Sequence, residues 1–191
     1  KFRELGGEIL IDEKYKSGDL DFKSQLLKIN TQKPEAIYVP GYYTEMGLIA
    51  RQARQLGIVD AKFLGGDGWD SAQLYNIGED AINGAFFTNH FAIENPEEKA
   101  KTFVASFRRE YELMPDANGA LAYDAANLII NAVLKSQSIE PEKIRNELNK
   151  TKNFLGVTGE ISFSAGRGPI KSAVVVQVDG KTNRFVTTVS P

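Results

Sequence analysis

Short apolar runs and amphipathic stretches alternate along the first half of the chain, and this alternation restricts the possible folds more than any other feature of the sequence. Residues 8–11, 36–39 and 62–64 have the length and composition of buried strands. A segment with apolar residues at helical spacing follows each run. Strands that alternate with helices over short connections form a parallel sheet covered by helices. We therefore predict an α/β fold in three layers, with helices on both faces of a parallel sheet.

The second half of the chain predicts a fourth strand, three helices and a β-rich tail. The strand covers residues 85–88, and Asn95-Pro96 marks the start of the next helix. Residues 117–134 then form a helix that is apolar around most of its circumference, and a further helix begins at Pro141. In the tail, residues 166–169 predict a turn, and Asp179-Gly180 predicts a C-terminal β-hairpin.

Composition excludes several classes of function. The chain has 23 lysines and arginines against 25 aspartates and glutamates, a formal net charge of −2, which argues against a nucleic-acid partner. It has no cysteine, so disulfides and thiolate metal sites are excluded. It has a single histidine, His90, and any catalytic triad or histidine metal site would have to be built around that one residue. No apolar run is long enough to span a bilayer. We expect no metal and no cofactor.

Two loops carry the residues best suited to bind a small molecule. One contains Tyr42 and Tyr43, and the other contains Asp67 and Trp69. Each loop follows a predicted strand and precedes a helix, so both are expected at the same edge of the sheet, where ligands bind in folds of this kind. Phenol donors beside a carboxylate suit a polar molecule that carries a cation, such as an amino acid, and aromatic rings would hold its side chain.

A structural alternative stays open for the same residues. Asp67 also suits an Asx-turn, and Tyr42 also suits a residue that covers the end of a strand. Neither loop has the spacing of a phosphate-binding or dinucleotide-binding motif. A flavodoxin-like or hydrolase-like enzyme would need a phosphate loop or a nucleophile elbow, and the sequence contains neither.

Several motifs in the correct order resemble one known family, the type I periplasmic solute-binding proteins. The resemblance is to the second lobe of the subgroup that binds leucine, isoleucine and valine for branched-chain amino acid ABC transporters, and it extends over essentially the whole chain. The motifs are residues 21–26 (DFKSQL), 42–47 (YYTEMG), 51–54 (RQAR), 66–70 (GDGWD), 120–125 (ALAYDA) and 159–163 (GEISF).

This resemblance implies a particular domain organisation. Residues 1–116 and 155–191 would form the ligand-binding second lobe, and residues 117–154 would be a helical pair that packs on a first lobe. The chain would then be the C-terminal part of a longer protein, cut inside a helix. Apolar side chains of the helical pair would be uncovered, and we expect the chain to self-associate through them; they include Leu121, Leu128, Ile129 and Val133.

The resemblance also implies roles for single residues. Tyr42 would reach the α-carboxylate or amino group of the ligand, with Tyr43 as the substitute if Tyr42 is structural, and Asp67 would pair with the α-ammonium group. Asn118 falls where relatives often place an aromatic ring beside the ligand side chain, and its polarity argues against a purely aliphatic ligand. Trp69 would lie at the rim of the cleft.

The function implied is that of a non-enzymatic solute-binding protein in the periplasm or outside the cell. It would deliver an amino acid, branched-chain or similar, to the membrane permease of an ABC importer by closing two lobes on the ligand. The alternative is a ligand-sensing domain of a receptor or regulator with the same fold.

Overall fold

The computed structural model describes residues 1–164 and 168–190, and its architecture is α/β as predicted. The α-helices of this part of the chain are α1 (Lys23–Gln32), α2 (Tyr43–Gln55), α3 (Ala72–Gly78), α4 (Glu98–Tyr111), α5 (Ala117–Ser136) and α6 (Pro141–Asn149). The strands are β1 (Ala36–Val39), β2 (Lys62–Gly65), β3 (Phe86–Asn89), β4 (Phe154–Gly156), β5 (Gly159–Phe163), β6 (Pro169–Lys171), β7 (Ala173–Asp179) and β8 (Thr182–Val189). Short 3₁₀ helices cover Arg3–Leu5, Asp67–Trp69 and Glu79–Ile82.

The strands form two sheets. The larger sheet has the order β1-β2-β3-β7-β8, and the smaller sheet has the order β4-β5-β6. β1 and β2 are parallel, with Val39 opposite Gly65, and β2 and β3 are parallel, with Gly65 opposite Phe87. The parallel core of the sheet and the hairpin of β7 and β8 are therefore as predicted. β4, β5 and β6 pair antiparallel.

The chain divides into two compact units. The first unit contains Lys1–Phe87 and Gln177–Thr182, and the second contains the described residues of Thr88–Val176 and Asn183–Pro191. These boundaries differ from the predicted ones at residues 116 and 154, because α4 falls in the same unit as α5 and α6. The assignment of residues 117–154 to a separate lobe stays a prediction.

The core of the first unit contains the apolar face of α2 and the inward side chains of the parallel strands. Met46 and Ala50 of α2 are fully buried, as are Phe63 of β2 and Phe87 of β3. Residues of β1 alternate between buried and exposed, and Tyr38 is exposed. One face of this edge strand is therefore left uncovered, so the covering by helices expected on both faces is incomplete there.

The core of the second unit joins α4 to α5. Ala100 and Phe103 of α4 pack in one cluster with Phe91, with Ala117 and Ala120 of α5, and with Val157. The Phe91 and Phe103 rings meet edge to face, with centroids 5.8 Å apart. This packing explains why α4 belongs with the helices that follow it.

Some sequence-based expectations are wrong in detail. Residues 8–11 lie outside the helices and strands, and Ile9 and Leu10 are exposed. α4 begins at Glu98, because the Asn95 side chain accepts a hydrogen bond from the Glu97 N–H just before the helix. The predicted turn at residues 166–169 lies partly outside the described residues.

The apolar surface expected on α5 is also smaller than predicted. Ile129 is exposed, but Leu128 is buried, and Leu121 and Val133 are half-buried. α5 packs against α6, and its Ala117 and Ala120 pack with Phe103 of α4.

Candidate functional site

Tyr42 lies where the chain turns from β1 into α2. Its backbone is extended, with φ −103° and ψ 166°, and its carbonyl accepts the N–H of Met46 at the start of the helix. Tyr42 is therefore the residue that precedes the helix. The side chain of Tyr42 is 69% exposed, so its hydroxyl is accessible to a ligand.

Asp67 lies in the equivalent place after β2. It opens the 3₁₀ helix Asp67–Trp69, and its carbonyl accepts the N–H of Asp70 at 3.0 Å. Asp67 is exposed, and a glycine lies on either side of it. Asp67 thus lies on a short, hydrogen-bonded turn.

The structure brings these two loops together. Because β1 and β2 are parallel neighbours with Val39 opposite Gly65, the loops that follow them leave the same edge of the sheet. A methyl group added at Gly68 would lie only 2.7 Å from the Gly41 carbonyl oxygen and 3.1 Å from Cδ1 of Tyr42. The glycine allows this close approach of the two loops. The predicted juxtaposition of the Tyr42 and Asp67 loops is therefore confirmed.

Trp69 does not lie at a rim, and that expectation is wrong. Its side chain is fully buried, its ring lies 5.8 Å from that of Phe87 between centroids, and it packs on the backbone of Gly65. An indole buries more apolar area than almost any other side chain, so an interior position is favoured whenever the fold provides one. In this structure Trp69 supports the Asp67 loop from within the core.

The other two candidate residues differ in their placement. Tyr43 is the first residue of α2 and is half-buried. Asn118 is the second residue of α5 in the second unit, and it is exposed. Asp116 caps that helix by accepting the Gly119 N–H at 2.7 Å. A role for Asn118 beside a ligand stays a prediction.

Sequence reasoning missed a buried carboxylate next to the Tyr42 loop. Glu45, in the first turn of α2, is 6% exposed, and its Oε1 accepts hydrogen bonds from the Gly18 N–H at 2.9 Å and the Ser17 hydroxyl at 3.3 Å. The Gly18 N–H lowers the pKa of Glu45, although burial works in the opposite direction. The acidic residue at the helix start was the only signal in the sequence, because residues 15–18 show no periodicity that would place them there.

In residues 1–164 and 168–190, no group of three or more histidine, aspartate or glutamate side chains is arranged to hold a metal ion. None of the helices in the described part of the chain is both long and apolar enough to cross a membrane.

Comparisons with known proteins give a consistent picture. A family model described as periplasmic binding protein matches residues 1–183. The chain is 30% identical over 172 residues to a leucine-, isoleucine-, valine-, threonine- and alanine-binding protein of Pseudomonas aeruginosa. The aligned region covers 88% of this chain and 44% of that protein. It is 30% identical over 190 residues to Leu/Ile/Val-binding protein homolog 2 of Brucella abortus, covering 97% of this chain and 50% of that protein. The chain thus spans about half the length of these curated relatives.

Solved structures agree with the sequence relatives. A leucine-binding protein LivK from Thermotoga maritima is 39% identical with a TM-score of 0.91, over 100% of this chain and 54% of that one. The branched-chain amino acid transporter substrate-binding protein LivJ from Streptococcus pneumoniae, solved with isoleucine, is 35% identical with a TM-score of 0.86, over 100% of this chain and 55% of that one. Since the family match extends over nearly the whole chain and the fold agrees, this chain belongs to the periplasmic binding protein family.

Proposed function

We propose that this chain is the ligand-binding part of a solute-binding protein that delivers an amino acid, branched-chain or similar, to the membrane permease of an ABC importer. In this proposal the protein is not an enzyme and acts in the periplasm or outside the cell. The names of the relatives support the ligand class, because they are described as binding leucine, isoleucine and valine. The LivJ relative is described as part of a transporter, which favours transport over the ligand-sensing alternative.

The observation that carries the proposal is the accessible pair of polar groups on the first unit. A phenol at Tyr42 and a carboxylate at Asp67 stand on loops that touch each other at one edge of the sheet. A carboxylate attracts the α-ammonium group of an amino acid, and a phenol hydroxyl donates to its carboxylate. Hydrogen bonds to charged partners are each worth roughly 1.5–3 kcal/mol, which is enough to select a zwitterion over a neutral molecule.

Binding then works by a shift between conformations. Contacts that form only when the protein closes around its ligand favour the closed state. The permease then recognises this closed conformation. The exposure of Tyr42 is consistent with this proposal, since a group that waits for a ligand must be reachable before closure.

Thermal-shift screening of the full-length protein against the standard amino acids and small carboxylates tests the function. We expect leucine, isoleucine or valine to raise the melting temperature most, because a ligand at 100 times its Kd adds about 2.7 kcal/mol of stability. 4-Methylpentanoate, the leucine skeleton without its amino group, is the matched control and should have a much smaller effect. Stabilisation by a different class of molecule, with no response to any amino acid, would refute the proposal.

A further inference from the structure

Residues 15–18 lie outside any helix or strand, and they contact both ends of the Tyr42 loop. One contact is made before Tyr42, at Gly41, and the other after it, at Glu45. We call residues 15–18 the 15–18 segment. It belongs to the same unit as both loops of the candidate site.

The first contact is a close fit of Tyr15 on Gly41. A methyl group added at Gly41 would overlap the Tyr15 hydroxyl and would lie 3.3 Å from Cζ of that ring. The ring itself is fixed, because it meets the ring of Phe22 edge to face with centroids 5.5 Å apart. Phe22 is buried, and its N–H donates to Oε1 of Gln52 on α2 at 2.7 Å. Tyr15, held in place by Phe22, therefore packs against Gly41, the residue before Tyr42.

The second contact is the buried carboxylate of Glu45. It receives the Gly18 N–H and the Ser17 hydroxyl, and it lies three residues after Tyr42 in the first turn of α2. A buried carboxylate that satisfies two donors holds both partners in place, because breaking the contact would leave a charge without hydrogen bonds in the interior. Burial, with a smaller contribution from the charge of Glu45, raises the pKa of Tyr15, so Tyr15 stays a neutral phenol beside this carboxylate.

The position of Gly41 also reaches the second loop. The Gly41 carbonyl and the Tyr42 ring are the atoms against which Gly68 packs. A shift of Gly41 would therefore change the placement of Tyr42 relative to Asp67. Tyr15 and Glu45 would thus affect the site without contacting the ligand themselves.

We propose that Tyr15 and Glu45 are positioning residues of the ligand site, which hold Tyr42 in the orientation that receives the ligand together with Asp67. This inference rests on the proposed function and adds residues that act on the ligand only through Tyr42. A binding site needs its contacting groups fixed to within about 0.5 Å, and such precision comes from surrounding contacts of this type.

A double-mutant cycle at Gly41 and Tyr15 tests the inference in the full-length protein. Gly41→Ala should weaken leucine binding about tenfold, because the new methyl group displaces the Tyr15 hydroxyl and moves Tyr42. Tyr15→Phe removes the overlapping oxygen and leaves the nearest ring carbon 3.3 Å from that methyl group. The Gly41→Ala/Tyr15→Phe double variant should therefore bind more tightly than Gly41→Ala alone. Gly168→Ala, which places a methyl group in open space, is the matched control.

Glu45→Gln provides a second, independent variant. It keeps an oxygen acceptor for Gly18 and removes the charge, and it should weaken binding while leaving the protein folded. Glu13→Gln is its control, because Glu13 pairs with Lys28 at 3.1 Å on the same part of the chain but makes no contact with Gly41 or Glu45. A fluorine label on Tyr42, followed by NMR without ligand, reports the orientation of that ring directly. We expect its signal to shift in Gly41→Ala and Glu45→Gln and to stay unchanged in both controls.

The outcomes separate the two proposals. If the parent binds leucine, and Gly41→Ala and Glu45→Gln bind it as tightly with an unchanged Tyr42 signal, the positioning role is refuted and the function stands. If adding Tyr15→Phe to the Gly41→Ala variant fails to tighten leucine binding, the contact between Tyr15 and Gly41 is not what positions Tyr42. The inference is then also refuted. If the parent binds no amino acid, the proposed function fails, and the inference falls with it even where the Tyr42 signal shifts.

Discussion

Tyr42 and Trp69 are aromatic residues on the two loops of the site, and their surroundings are opposite. Tyr42 is largely exposed, whereas Trp69 is fully buried against Phe87. The sequence places both residues in loops after strands, but it does not show which ring turns inward. At the scale of single residues, burial therefore makes Trp69 a support of its loop, and Tyr42 remains the residue that we propose to contact the ligand.

Tyr42→Phe tests the first of these assignments. The substitution keeps the ring and removes only the hydroxyl, so leucine binding should weaken by about one decade, near the lower end of the range for a hydrogen bond to a charged partner. Stability should hardly change, because the side chain is exposed. Calorimetry with Tyr43→Phe in parallel decides between the neighbours. A silent Tyr42→Phe beside a weakened Tyr43→Phe would transfer the role to Tyr43.

The carboxylate of Glu45 predicts a dependence of stability on pH. The Gly18 N–H holds the pKa of Glu45 below its ordinary value in the folded protein, against the opposing effects of burial and Asp19. A carboxyl with a lowered folded pKa binds fewer protons in the folded state, so stability increases with pH through this window. The contribution is fully present above the unfolded pKa of about 4.3 and is lost as the pH falls through the folded pKa.

Urea unfolding of the parent and of Glu45→Gln between about pH 3 and pH 6 measures this effect. The free energy of unfolding of the parent should fall more steeply with acid than that of the variant. Asp19→Asn is the control, since Asp19 raises the pKa of Glu45 and its removal should move the loss to lower pH. Equal slopes for the parent and Glu45→Gln would contradict the assignment.

At the scale of elements, the sequence locates regular structure better than it locates contacts. The bounds of β1 match the prediction, and α6 begins at Pro141 as expected, because periodicity and helix-start residues are local signals. The predicted strand at residues 8–11 does not form, since a strand requires a neighbour that local sequence does not specify. Likewise, the pattern of α5 shows that it is apolar but not that Leu128 is the side chain that becomes buried.

The site shows the same difference between local signals and distant contacts. The edge at which Tyr42 and Asp67 meet could be predicted, because it follows from the order of strands and helices alone. The part played by Tyr15 and Glu45 could not, because it depends on how an irregular segment folds back over α2. Such contacts leave no periodic pattern in the sequence.

Asp124 of α5 is the clearest link between elements in the second unit. It is 2% exposed and accepts hydrogen bonds from the Val157 N–H at 2.7 Å, the Thr158 N–H at 2.8 Å and the Thr158 hydroxyl at 2.7 Å. The carboxylate therefore ties α5 to the turn between β4 and β5. Desolvation lowers the pKa of the partly buried Lys171, and the charge of Asp124 opposes that shift.

Asp124→Ala should be among the most destabilising substitutions in this unit. It leaves three buried donors without an acceptor, and each such donor costs about 1–3 kcal/mol, so we expect a loss of at least about 3 kcal/mol in the free energy of unfolding. Asp116→Ala on the same helix is the comparison, because loss of its cap should cost only about 1 kcal/mol. Chemical denaturation measures both. Similar losses for the two variants would show that the Asp124 contacts add little beyond ordinary capping.

At the scale of the whole molecule, the second unit exposes an apolar groove along α4 and α5. The groove has a volume of about 1050 Å³. Its apolar lining includes Phe107, Tyr111, Tyr123, Ile130, Leu134 and Leu155. Of these, Leu134 is 71% exposed. Apolar surface of this kind is usually covered by another element or another molecule.

We therefore predict that the 191-residue chain self-associates through this groove. Covering about 500 Å² of apolar surface would contribute roughly 12 kcal/mol before the costs of association. Sedimentation velocity over a range of concentrations should show a species larger than a monomer, and Leu134→Glu should shift it toward the monomer. The matched control is Ile139→Glu, an exposed apolar residue outside the groove lining. A chain that stays monomeric at all concentrations would disprove self-association.

We propose that Asp67 recognises the α-ammonium group of an amino acid. Calorimetric titration of the full-length protein and its Asp67→Asn variant, each with L-leucine and with 4-methylpentanoate, tests it most directly, and Asp80→Asn serves as the control for an exposed carboxylate outside both loops. We predict that Asp67→Asn weakens leucine binding by about 10–150-fold and leaves the affinity for 4-methylpentanoate unchanged, since only leucine carries the group that Asp67 binds. Equal affinity of the parent and Asp67→Asn for leucine, or an equal loss for both ligands, would contradict this role of Asp67.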